Sequence, residues 1–243
     1  RLITNGVNSS FQDVSINVIK NAYTVGSAVK GASMAVGYKN GIIDIGTSIT
    51  DGCVKLKSMP AKCSYKRLGR LNDVQALALS SNYYQFIIAL GIMGYNYTYN
   101  MEAEASMEHF NLYRNTFAEF GLGAITGIDL PNESSGLKGT TIAPDLLMNL
   151  AIGQYDLYTP VELLQYINTI ASSGTRYSLS LMNRVIKDEK ILLEHTKKVL
   201  NHVELEDKYM KRIQEGFHSV MKNGTGYWYI NTSIPAAGKT GTS

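Results

Sequence analysis

Small and apolar residues recur at helical spacing through 26–41, GSAVKGASMAVGYKNG, and the run closes on Asn40-Gly41, a pair that stops helices. Residues 71–94, LNDVQALALSSNYYQFIIALGIMG, carry two apolar runs around a polar break at Ser80-Ser81-Asn82. That pattern predicts two short helices. An amphipathic run over 103–123 ends on glycine. Residues 159–174, TPVELLQYINTIASSG, open on Thr159, Pro160 and Glu162, a capping box with proline at the first helical position. Residues 206–224 form another amphipathic run, stopped by Asn223-Gly224. Strands are expected at 181–188 (LMNRVIKD), 226–233 (GYWYINTS) and 234–243 (IPAAGKTGTS). The pattern predicts a mixed α/β chain of the α+β type with a helical majority.

Composition adds bounds. The 243 residues suit one domain, and 44% hydrophobic content is enough for a core. A net charge of +3, with no basic run, predicts no nucleic-acid partner. The longest apolar stretch, FIIALGIM at 86–93, is too short to span a bilayer. No signal peptide opens the chain, no internal repeat is visible, and Arg1-Leu2-Ile3 reads as the middle of something longer.

The chemistry starts at Ser27 and Lys30. Serine is a weak nucleophile until a neighbouring base takes its proton. Three residues apart at a helix start, the two side chains share one face. A lysine there can act as base if burial or nearby positive charge lowers its pKa. Free backbone N–H groups at the helix start can stabilise an oxyanion. Ser-x-x-Lys alone is a cheap pattern, found again at Ser135–Lys138 and Ser219–Lys222. Ser135 lies in a Gly-flanked loop and Ser219 late in an amphipathic helix. Only Ser27 opens a helix, follows a glycine and has apolar surroundings.

Ser80-Ser81-Asn82 and then Lys239-Thr240-Gly241 follow in order. S-x-x-K, S-x-N and K-[ST]-G in this order resemble the signature of penicillin-binding proteins and serine β-lactamases. GLGAITGIDLPNESSG at 121–136, the 145–175 segment and 203–226 also resemble stretches of class B penicillin-binding proteins. The similarity covers nearly the whole chain. It implies a penicillin-binding protein/serine β-lactamase-like fold, with a helical subdomain plus an antiparallel sheet. Residues 1–243 would be a single transpeptidase domain, incomplete at both ends.

The resemblance also implies roles. Ser27 would be the acylated nucleophile and Lys30 its base. Ser80 would relay protons to the leaving amine, and Asn82 would hold Lys30 and the substrate amide. Lys239, on a strand beside the cleft, would add positive charge and steer Ser80. Thr240 and Thr242 would face the substrate carboxylate, and Gly241 would let the substrate backbone come close. The implied function is a serine D,D-transpeptidase cross-linking peptidoglycan stem peptides ending in D-Ala-D-Ala, inhibited covalently by β-lactam antibiotics. Other cell-wall synthesis proteins are implied partners. The implied place is the extracytoplasmic face of the bacterial cell envelope, anchored by an N-terminal transmembrane helix outside this chain. A D,D-carboxypeptidase, a serine β-lactamase and a non-catalytic β-lactam sensor are the alternatives. The E-x-x-L-N pattern of the deacylating glutamate of class A β-lactamases is not found, which argues for a long-lived acyl-enzyme.

Catalysis of this kind requires no cofactor. The segment TDGCVKLKSMPAKCSYKR nevertheless gathers Asp51, Cys53 and Cys63, suitable ligands for a structural zinc, with His109 as the fourth. A Cys53–Cys63 disulfide, permitted outside the cytoplasm, and two free thiols are the other readings.

Overall fold

The structure, a computed structural model, describes residues 2–4, 9–11, 13–57, 59–229 and 234–242. Its helices are α1 (Asn17–Lys20), α2 (Lys30–Lys39), α3 (Asp73–Ala78), α4 (Asn82–Ile92), α5 (Met107–Glu119), α6 (Pro144–Ala151), α7 (Pro160–Ala171) and α8 (Asp207–Asn223). A 3-10 turn, Gly26–Val29, runs directly into α2. The strands are β1 (Leu2–Thr4), β2 (Ser9–Phe11), β3 (Ile49–Thr50), β4 (Cys53–Val54), β5 (Lys62–Cys63), β6 (Arg70–Leu71), β7 (Thr175–Tyr177), β8 (Arg184–Lys187), β9 (Lys190–Glu194) and β10 (Val199–His202). Among the described residues they pair only as two-stranded antiparallel ladders: β1 with β2, β3 with β6, β4 with β5, β7 with β10 and β8 with β9.

Helix α2 is the axis of the molecule. Lys30 through Tyr38 are all buried, as a helix without a polar face must be. Its small residues let neighbours close in: a Cβ on Gly31 would lie 2.6 Å from the Tyr166 hydroxyl of α7 and 2.8 Å from the Phe217 ring of α8. Helices α3, α4, α5 and α8 all pack against it. Phe110, Tyr113 and Phe117 of α5, with Phe120 beyond it, are fully buried and continue the same core.

Two ion pairs tie the periphery to this axis. Arg212 on α8 forks onto both oxygens of Asp73, at 2.8 and 2.7 Å, and the Tyr38 hydroxyl donates to Asp73 Oδ2 at 2.7 Å. Arg114 on α5 forks onto Asp156 at 2.8 Å through both contacts, and Asp156 also accepts the Gly139 N–H.

The helices expected at 26–41, 103–123, 159–174 and 206–224 are present, and the break at 80–82 separates α3 from α4. Thr159 and Glu162 form the expected capping box. Helices α1 and α6 were not anticipated. The 181–188 stretch contains β8. Residues 226–229 are turns rather than strand, and 230–233 lie outside the described residues. The strand expected to carry Lys239 is not formed, since 235–242 have no regular structure. A strand needs a neighbour to take its N–H and C=O groups. Here the segment is held instead by separate contacts, among them a bond from Gly238 N–H to the Phe217 carbonyl of α8 and the side-chain bonds of Lys239 to Ser80 and of Thr240 to Thr225.

Candidate active site

Ser27 lies second in the 3-10 turn, and the Lys30 N–H donates to the Ser27 carbonyl. The turn is held by glycines. Gly26 has φ +53° and gives its N–H to Gly153 O at 2.9 Å. A Cβ on Gly26 would sit 2.0 Å from Thr242 O, and one on Gly153, at φ +73°, would sit 2.1 Å from Gly26 O. Three backbone segments distant in sequence therefore meet where no side chain fits. Gly241 belongs to the same junction: its Cβ would lie 2.7 Å from Val25 O. The close approach assigned to a substrate backbone is here an approach to the chain's own nucleophile turn.

Lys30 is completely buried. Its ammonium donates to Asn82 Oδ1 at 2.6 Å, to Ser80 O at 2.8 Å and to Ser80 Oγ at 3.2 Å. Burial pushes its pKa well below the ordinary lysine value, the positive charge of Lys239 adds to this, and Asp51 works in the opposite direction. Lys239 reaches the same hydroxyl from the other side, donating to Ser80 Oγ at 2.9 Å and to Thr240 O at 3.0 Å. Burial lowers the Lys239 pKa to about 7. With both lysines donating, both lone pairs of Ser80 Oγ are occupied and its own proton is free to be given away.

Ser27, Ser80, Asn82, Thr240 and Thr242 line one cavity of about 400 Å³, with Thr225, Tyr65 and Tyr229 completing its wall. Thr240 Oγ1 lies 2.7 Å from Thr225 Oγ1. The structure thus gathers five of the sequence-predicted residues around one space, with Lys30 and Lys239 bonded to Ser80. It places no hydrogen bond between the Ser27 hydroxyl and Lys30; the lysine's bonds run to Ser80 and Asn82.

What the sequence did not reveal is how the break at 80–82 is held. Ser80 takes φ +55°. The first free N–H groups of α4 all end on two serine hydroxyls. Ser64 Oγ accepts from Asn82 N–H at 3.0 Å and Tyr83 N–H at 3.2 Å, and Ser81 Oγ accepts from Tyr84 N–H at 3.0 Å. Such orphan donors at a helix start need acceptors. Cys63 O accepts from Asn82 Nδ2 at 3.4 Å, which leaves Oδ1 facing Lys30. Serine 81 at an N-cap position is visible in the sequence; Ser64, distant along the chain, carries no such signal.

The zinc reading is corrected. Cys53 and Cys63 face each other directly in the β4–β5 ladder and are joined as a disulfide, with Cα atoms 4.2 Å apart. Neither sulfur is left as a thiolate ligand. His109 Nδ1 accepts the Ser106 N–H at 3.1 Å at the start of α5, and Asp51 Oδ2 accepts from Ser64 and Ser81. Among the described residues, no group of three His, Cys, Asp or Glu could hold a metal ion.

A half-buried Ser-x-x-Lys turn thus faces a second lysine across a shared serine hydroxyl. The family described as the penicillin binding protein transpeptidase domain matches residues 4–243. Penicillin-binding protein 2A of Bacillus subtilis (strain 168) is 35% identical over 241 residues, covering 96% of this chain and 34% of that protein. Penicillin-binding protein H of the same organism is 36% identical, covering 97% of this chain and 34% of that protein. The solved structure of penicillin-binding protein 2B from Streptococcus pneumoniae (strain 5204) superposes with a TM-score of 0.91 at 31% identity, covering 99% of this chain and 42% of that one. The chain belongs to the penicillin-binding protein transpeptidase domain family, and it spans about a third of the length of these curated relatives.

Proposed function

We propose that this chain is the acyl-transfer unit of a serine D,D-transpeptidase acting on peptidoglycan stem peptides. Ser27 Oγ attacks the carbonyl between the two terminal D-alanines and gives its proton to Lys30. The peptide C–N bond breaks, and the departing D-Ala amine takes a proton through Ser80. The acyl group then passes from Ser27 to an amine of a neighbouring stem. Asn82 holds Lys30 and the substrate amide, Lys239 keeps Ser80 oriented, and Thr240 and Thr242 receive the substrate's carboxylate. A β-lactam enters the same first step and leaves Ser27 acylated. The proposed setting is the outer face of the bacterial cytoplasmic membrane, among other cell-wall synthesis proteins. Among the described residues no helix is long and apolar enough to cross a membrane.

The observation that carries this reading is the environment of Lys30. A lysine wrapped by Asn82 and Ser80, stripped of water and facing a second cation, is driven toward the neutral amine that a base must be. Its longest contact, 3.2 Å to Ser80 Oγ, is the one that can reverse direction once the proton is gone. The test is intact mass of the full-length protein after incubation with benzylpenicillin, beside Ser27→Ala. A stable one-drug adduct absent from the variant is expected. An unmodified protein with intact drug would sink the mechanism, and rapid drug hydrolysis without an adduct would replace it with a β-lactamase.

A further inference from the structure

We propose that Asp51 is a positioning residue for the acyl transfer, holding the Ser80–Asn82 break in register with Lys30 and supplying the negative charge that Lys30 faces. The proposal rests on the transpeptidase reading above.

Asp51 follows β3 and is anchored by its N–H on Gly69 O at 2.8 Å. Its Oδ2 accepts two hydroxyl protons, from Ser64 at 2.7 Å and Ser81 at 2.6 Å. Each hydroxyl has one proton. Committing both to Asp51 turns their lone pairs toward the Asn82, Tyr83 and Tyr84 N–H groups. One carboxylate oxygen therefore orients every cap at the start of α4, where a negative charge is also favoured by the helix dipole. Asn82 and Ser80, the two partners of Lys30, sit at that helix start.

The other oxygen, Oδ1, is shut off from solvent and has no hydrogen-bond partner among the described residues. Leaving a buried carboxylate oxygen unpaired costs stability, and the two serine bonds to Oδ2 do not relieve that cost. The charged groups acting on Lys30 are Lys239 from the terminal segment and Asp51 from the β3–β4 connection, with opposite effects. Burial raises the pKa of the Tyr83 phenol, and Tyr97 and then Asp51 add to the shift.

The experiment uses the full-length protein and measures the second-order rate constant of benzylpenicillin acylation at Ser27 across pH, with melting temperatures recorded alongside. Asp51→Asn keeps an acceptor for the two hydroxyls and removes the charge. Its acid limb, which reports Lys30 losing its proton, is expected to move to lower pH. A limb superposed on that of the wild type overturns the proposal. Ser81→Ala leaves the charge and removes one oriented cap. Its plateau rate is expected to fall roughly ten- to a hundredfold with the limb unmoved, and an unchanged plateau also overturns the proposal. Should the Asn variant fail to fold, the Ser81→Ala result decides. If the wild-type protein itself is never acylated at Ser27, the transpeptidase reading fails first, and this inference fails with it.

Discussion

Lys30 and Lys239 share one serine hydroxyl in a buried place, and two cations held there oppose folding whenever both carry their protons. An unfolded chain keeps a lysine protonated up to about 10.5, while folded Lys239 releases its proton at about 7. Between those values the unfolded state binds more protons, so this residue makes stability rise with pH. Lys239→Met is therefore expected to raise the melting temperature at pH 7 by roughly a few degrees and to flatten its rise toward pH 10, while acylation by benzylpenicillin is lost. Melting curves at pH 7, 8.5 and 10 check it; a variant that melts lower than wild type at pH 7 sinks the argument. At this scale Ser27, Lys30, Ser80, Asn82 and Lys239 were picked out by their resemblance to a family signature, and the structure brings the two lysines and Asn82 together around Ser80. Asp51, Cys53 and Cys63 were legible only as reactive groups. Spacing does not say which partner a thiol takes, and that was settled by the two strands that set Cys53 opposite Cys63.

Among the elements, those whose ends are written in capping chemistry were readable. Helix α7 starts where Thr159 and Glu162 exchange hydrogen bonds with backbone N–H groups. Thr159→Ala is expected to cost about 1 kcal/mol in urea unfolding. Helix α6 also begins with a proline at its first position, Pro144. It was missed because its eight residues give too short a stretch for the period to stand out. The two-residue strands β3 to β6 are shorter still, and their pairing rests on the loops around the disulfide. The Lys239 segment failed as a strand for another reason, since ladders depend on a partner that local pattern does not reveal. The junction between that segment, the Ser27 turn and Gly153 gives a sharper prediction. Gly153→Ala places a Cβ against Gly26 O at a left-handed φ. It is expected to lower stability by about 1–3 kcal/mol and to slow acylation at the same time. Normal acylation kinetics in this variant would show that the turn tolerates displacement.

For the molecule as a whole, the helical body around α2 was foreseeable from its apolar runs, and the cross-ties were not. Arg212 meets Asp73 from α8, and nothing local to either residue announces the other. Asp73 is fully buried, so Arg212→Leu strands a charge and is expected to cost about 3–5 kcal/mol, read from denaturant midpoints. The disulfide closes a short loop with a sequence separation of 10, and its reduction is expected to remove about 2–3 kcal/mol. A chelator, by contrast, should leave the melting temperature where it was; a fall on chelation would restore the zinc reading. The contact between Gly241–Thr242 and the turn carrying Ser27 has a further consequence for the order in which activity appears. A ribosome releases Ser27 and Lys30 roughly two hundred residues before Lys239. Such a long-range closure is among the last to form. A nascent chain therefore carries its nucleophile unarmed, and becomes reactive toward substrate or antibiotic only once synthesis has passed the third motif and the fold has closed over it.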